Sequence, residues 1–138
     1  MTRRLVAGVL AGFFLLPQWA LAQNAPQPAT GVVQATLANG MRVVLLQNKL
    51  APVATTVLTY GVGSDDDTMP GIAHATEHMM FRGTADVSAT QFAEMAARAG
   101  AQYNAQTSSI ATTYYFKIPS AYTGLALRLE ADRMTGAA

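Results

Sequence analysis

The sequence predicts an α+β fold, a largely antiparallel sheet packed with helices. Two changes of periodicity carry that expectation. Up to Val62 the apolar residues fall in short Val-, Leu- and Thr-rich runs separated by turn residues. After Asp65-Asp66-Asp67 they recur every three or four positions, and β-type runs return beyond Gly100. Runs of strands followed by helices, rather than one-for-one alternation, argue for α+β over a parallel α/β sheet. Composition agrees: 138 residues, 51% hydrophobic and 12% charged, suit one domain with a real core and exclude a charge-dominated disordered chain. A net charge of +1 without a basic run excludes nucleic acid as the main partner. The lack of Cys excludes a disulfide scaffold, a thiol nucleophile and any thiolate zinc site.

The first 22 residues read as an export signal. Arg3 and Arg4 precede an unbroken apolar and glycine run from Leu5 to Leu16, and Ala20-Leu21-Ala22 forms an A-x-A site before Gln23. The run is too short for a stable membrane anchor, which needs roughly 20 apolar residues. The expectation is a cut after Ala22 and a periplasmic or secreted product. Residues 23–30 are polar and proline-rich, the composition of a loose mature N-terminus. The folded domain is expected over 31–138.

Each element has its own signal. Val32, Val33 and Leu37 lead into Asn39-Gly40, and Met41 to Gln47 is a second β-type run. Asn-Gly between two such runs predicts a hairpin with a type I′ turn, positive φ at both residues. Val53 to Val62 is a third strand. Pro70 suits the first turn of a helix that Asp67 or Thr68 caps and that Gly83 ends after Arg82. Ser88 and Gln91 form a capping box for a second helix, with Phe92, Met95, Ala96 and Ala99 on one face and Gly100 at its end. Strands follow at about Gln102–Gln106 and Thr112–Ile118. A last helix opens near Ser120, with Tyr122, Leu125, Ala126 and Leu129 on one face. The predicted order is β-β-β-α-α-β-β-α.

The chemistry concentrates in the first helix. Both histidines of the chain, His74 and His78, stand four residues apart with Glu77 between them. At about 100° per residue the three side chains fall within an arc of about 100°. Two imidazoles at that spacing can hold one Zn²⁺ through nitrogen, with the carboxylate beside the metal rather than on it. There it can take a proton from a zinc-bound water, whose pKa is lowered to about 7. The pattern H-x-x-E-H reverses H-E-x-x-H and keeps its histidine spacing. The plainer reading is a pair of solvated histidines beside a surface carboxylate. A chance match in this length has a probability on the order of a few in a thousand, so the surroundings decide.

Those surroundings resemble a known family. Gly71-Ile72-Ala73-His74 through Glu77-His78-Met79-Met80-Phe81-Arg82-Gly83-Thr84 is similar to the zinc-site helix of the pitrilysin/insulinase metallopeptidases, the inverzincins. Leu37 to Leu45 resembles that family's opening hairpin, and Gly61-Val62-Gly63-Ser64 its approach to the helix. Asn104-Ala105 with Thr107-Ser108 resembles its substrate-aligning edge strand, and Leu129-Glu130-Ala131-Asp132-Arg133-Met134 a later helix. The resemblance implies Zn²⁺ held by His74 and His78, Glu77 as general base, and Asn104 and Ala105 holding substrate backbone. It implies an endopeptidase acting on peptides or unfolded segments, with a second pitrilysin-like domain or subunit as a partner. An edge strand could take an extended peptide on physical grounds too, although an ordinary strand with a polar Asn explains the same residues.

The sequence also departs from the family pattern. Ala75 and Thr76 replace larger apolar residues, and Gln106 stands where an aromatic is usual. The family's third zinc ligand is a Glu on a later helix, expected past Ala138; Glu94 and Glu130, the only other glutamates here, lack its spacing. Residues 31–138 are therefore expected to form the N-terminal portion of a pitrilysin-like domain, with little activity alone. The alternative is a non-catalytic relative that serves assembly, against which the intact His74, Glu77 and His78 argue.

Overall fold

A computed structural model of the chain describes residues 31–136. The export signal expected over 1–22 and the proline-rich stretch at 23–30 lie outside the described residues. Among those described, no helix is long and apolar enough to cross a membrane. The chain divides into two compact units at Gln47 and Asn48.

The first unit is a hairpin of β1 (Val32–Thr36) and β2 (Arg42–Leu46), paired from Val32 with Leu46 to Thr36 with Arg42. Its turn differs from the type I′ expectation. Gly40 alone takes a positive φ, +85°, and Asn39 does not. Leu37 and Met41 close the loop through Leu37 N–H to Met41 O at 2.8 Å, and Gly40 N–H reaches Leu37 O at 2.9 Å. This is a three-residue connection with glycine in the left-handed position. Asn39 stays in ordinary backbone space because its Oδ1 accepts from Met41 N–H at 3.1 Å, a local bond that a short polar side chain makes readily.

The second unit holds a three-stranded antiparallel sheet in the order β3-β5-β4, with β3 at Val53–Tyr60, β4 at Gln102–Thr107 and β5 at Thr112–Pro119. Central β5 shows why: Thr112, Tyr114, Phe116 and Ile118 are buried while Tyr115 and Lys117 face out, a strict period of two. Helices α1 (Ile72–Met79), α2 (Ala89–Arg98) and α3 (Thr123–Gly136) complete the unit. The core gathers Phe92, Ala96 and Ala99 of α2, Phe116 and Ile118 of β5, and Ala126 and Leu129 of α3. The α+β class with an antiparallel sheet is thus the architecture of the described residues.

Local capping chemistry sets some helix boundaries, and packing overrides it at others. The Ser88–Gln91 capping box forms in both directions, Ser88 N–H to Gln91 Oε1 at 2.9 Å and Gln91 N–H to Ser88 Oγ at 3.3 Å. Gly100 at φ +68° ends α2 with Ala101 N–H on Ala96 O and Gly100 N–H on Ala97 O. Helix α1 instead stops at Met79, short of Arg82. Phe81 leaves the helical path to join an aromatic cluster, 5.9 Å from the Tyr103 ring and 6.5 Å from Phe92. On α3, Tyr122 is half-exposed and lies in a preceding 3₁₀ turn, while Glu130 and Arg133 take the buried face.

Candidate metal and general-base site

Helix α1 is short, and its entry is fixed by one side chain. Asp67 accepts from Gly71 N–H at 2.8 Å and from Ala73 N–H at 2.7 Å, so its carboxylate satisfies two donors at the helix start. Gly71 occupies the position before the helix at φ +92°, a conformation that costs a residue with a Cβ. The cap position itself is Gly71, not Asp67 or Thr68, and Pro70 precedes the helix instead of opening its first turn; Asp67 supplies the carboxylate from four residues upstream of the cap.

From that helix His74 and His78 project on the exposed side, with Nε2 atoms 3.1 Å apart and ring centroids 4.7 Å apart. Two nitrogens bound to one zinc at about 2.0–2.1 Å in tetrahedral geometry stand about 3.3–3.4 Å apart. The pair is therefore already close to the spacing of two ligands on one ion. Neutral imidazole nitrogens are also the right donors for Zn²⁺.

Glu77 sits on the same helix but is buried, 8% exposed, with Ala73 as the other buried residue of α1. Thr107, the last residue of β4, donates its hydroxyl to Glu77 Oε2 at 2.5 Å. Behind it, Tyr114 is 2% exposed, and its hydroxyl pKa is pushed up to about 12. Burial is the main cause; the negative charge of Glu77 adds to it and Arg133 opposes it.

The remaining glutamates lie elsewhere. Glu94 pairs with Arg98 at 3.6 Å on an open helix face, and Glu130 pairs with Arg133 at 2.6 Å in the interior. Among the described residues no three His, Cys, Asp or Glu come together to hold a metal. Asn104 and Ala105 lie in β4, at one edge of the three-stranded sheet, beside an open groove of about 400 Å³. Asn104 Oδ1 already accepts from Ala105 N–H at 2.9 Å, so that backbone donor has a partner within the strand.

The family model for insulinase, peptidase family M16, matches residues 42–137. The chain belongs to the M16 insulinase family. Among relatives of this M16 chain, zinc protease PqqE of Helicobacter pylori is 40% identical over 103 residues, 72% of this chain and 23% of that protein. The uncharacterized zinc protease YmxG of Bacillus subtilis is 39% identical over 99 residues, covering 70% and 24% respectively. A crystal structure of a protease from Helicobacter pylori superimposes with a TM-score of 0.73 at 34% identity, covering 78% of this chain and 26% of that one. An M16 inactive domain from Pseudomonas fluorescens shares the fold at a TM-score of 0.70 and 23% identity, covering 77% and 26%. The chain thus spans about a quarter of the length of these relatives.

One feature of the site and one of the core are not visible in the sequence. Thr107 stands there only as part of a strand motif, and nothing in a single sequence says that its hydroxyl meets Glu77. The buried Glu130–Arg133 pair is hidden because charged residues at i and i+3 ordinarily mark a solvated helix face.

Proposed function

We propose that this chain supplies the histidine pair and the general base of a zinc-dependent endopeptidase acting on peptides or unfolded segments. The observation that carries this reading is the convergence of His74 and His78 Nε2 at 3.1 Å on a helix whose intervening carboxylate, Glu77, is buried and held. His74 and His78 would hold Zn²⁺, which when bound supplies Lewis acidity and makes water nucleophilic near neutral pH. Glu77 takes the proton of the attacking water and returns it to the leaving amine, a role open to a carboxylate that accepts only one hydrogen bond from the protein. The β4 edge, with Asn104 and Ala105, would hold the peptide in extended form.

An open catalytic zinc site takes three protein ligands and a water. In this reading the third is a Glu from a further part of the domain, and a second M16-type domain or subunit closes the chamber around the peptide. In this reading residues 1–22 serve as a cleavable export signal and the protein works in the periplasm or outside the cell.

The test is peptide cleavage by a full-length domain that carries this segment. Glu77→Gln should keep zinc and lose about 10²–10⁴-fold in turnover. His74→Ala and His78→Ala should lose both zinc and turnover. Turnover that survives Glu77→Gln would contradict the assignment.

A further inference from the structure

We infer that Thr107 is the positioning residue for Glu77, tying the base to the strand that would carry the substrate; this rests on the peptidase reading above. The hydroxyl of Thr107 lies 2.5 Å from Glu77 Oε2. An ionised carboxylate only accepts, so the threonine must donate, and charge-assisted O–H···O⁻ bonds are the short, strong ones. The bond takes Oε2 and leaves Oε1 as the oxygen available to a substrate water. Without it the carboxylate could rotate about its last torsion, which is broad and weakly defined.

The donor itself is fixed. Thr107 pairs with Thr112 across β4 and β5, and as a β-branched residue it has few side-chain rotamers. Thr112 Oγ1 lies 3.5 Å from Thr107 Oγ1 but gives its own proton to Val62 O at 3.0 Å, so it does not compete for Glu77. The turn after Thr107 is pinned as well, by Ser64 N–H on Ser108 O at 3.0 Å and Asp65 N–H on Ser109 O at 2.8 Å. Glu77 is thereby referenced to β4, three residues along from Asn104. A shift of that strand would move the base with it.

The experiment combines NMR of the chain with kinetics of a full-length domain carrying it. In the wild-type chain the Thr107 hydroxyl proton should be visible, slowly exchanging and far downfield, and Glu77→Gln should move it upfield. Thr107→Val should shift the Glu77 carboxyl carbon resonance toward that of a solvated carboxylate, and Thr107→Ser should restore it. In the full-length form Thr107→Val should lower kcat about tenfold, with KM and zinc content within twofold, and Thr107→Ser should recover most of it. A Thr107 hydroxyl that exchanges freely in the wild-type chain overturns the inference even if the valine variant does not fold. A valine variant with full kcat also overturns it. A full-length wild type that binds zinc but cleaves no peptide, with the hydroxyl signal intact, overturns the peptidase reading and leaves the Thr107–Glu77 bond standing.

Discussion

The guanidinium of Arg133 meets the carboxylate of Glu130 at 2.6 Å with both side chains buried, 3% and 8% exposed, on one face of α3. The same guanidinium lies 4.9 Å from the Phe81 ring centroid, 5.0 Å from Tyr114 and 5.3 Å from Phe92. Arg133 thus links the third helix to the aromatic cluster that ends α1. Removing one partner of a buried pair leaves an uncompensated charge. Arg133→Ala should destabilise the chain by about 3–5 kcal/mol in chemical denaturation. Replacing both residues by apolar ones of similar volume should cost much less, because no unpaired charge remains. Equal losses in the single and double variants would show that packing, not charge pairing, governs this position.

Gly63 has an ordinary extended φ of −141°, so its requirement is space, not conformational freedom. A Cβ there would lie 2.4 Å from Ser108 O and 2.5 Å from Ser109 O, both backbone atoms. Gly63→Ala should force the β4–β5 turn away and cost about 1–3 kcal/mol by overpacking. Thermal unfolding of the variant checks this, and loss of the Thr107 hydroxyl signal should accompany it.

The two buried-side tyrosines should titrate late. Tyr114 is raised to about 12 by burial and then by Glu77, and Tyr60 is raised by burial and then by Glu130. A folded-state pKa above the unfolded value of about 10 favours the neutral phenol in the fold. Its contribution to stability is therefore complete below pH 10 and is lost as pH rises toward about 12. Alkaline absorbance titration should show a late phase, above the ordinary tyrosine range near 10, that belongs to Tyr114 and Tyr60. Tyr114→Phe should remove part of the late phase and flatten the fall in stability over that window.

Much of this was legible because it is local. The Ser88–Gln91 box, the Gly100 stop and the alternation of β5 each depend on residues within a few positions of one another, so a single sequence displays them. The approach of His74 to His78 is legible for the same reason, since helical geometry alone stacks residues four apart. The division of that helix, with the histidines exposed and Glu77 buried, depends on what packs against it. What was not legible is set by distant partners. Helix α1 ends at Met79 because Phe81 packs on Tyr103 and Phe92, residues that follow it in the chain. Asn-Gly predicts a positive φ at Asn39, but the side-chain bond from Met41 N–H to Asn39 Oδ1 settles the turn otherwise. Thr107 needed the third dimension entirely: thirty residues separate it from Glu77.

The central claim is that His74 and His78 act as one metal-binding pair with Glu77 beside it. Zinc titration by calorimetry of a full-length domain carrying this segment tests that directly, since the two histidines alone leave the site one protein ligand short. Wild type should bind one ion per chain, and His74→Ala or His78→Ala should weaken it by more than the roughly 10–100-fold typical of an outer-shell change. Glu77→Gln should stay within about tenfold of wild type. Zinc that survives loss of either histidine, or that Glu77→Gln releases as completely as the histidine variants do, would contradict the account.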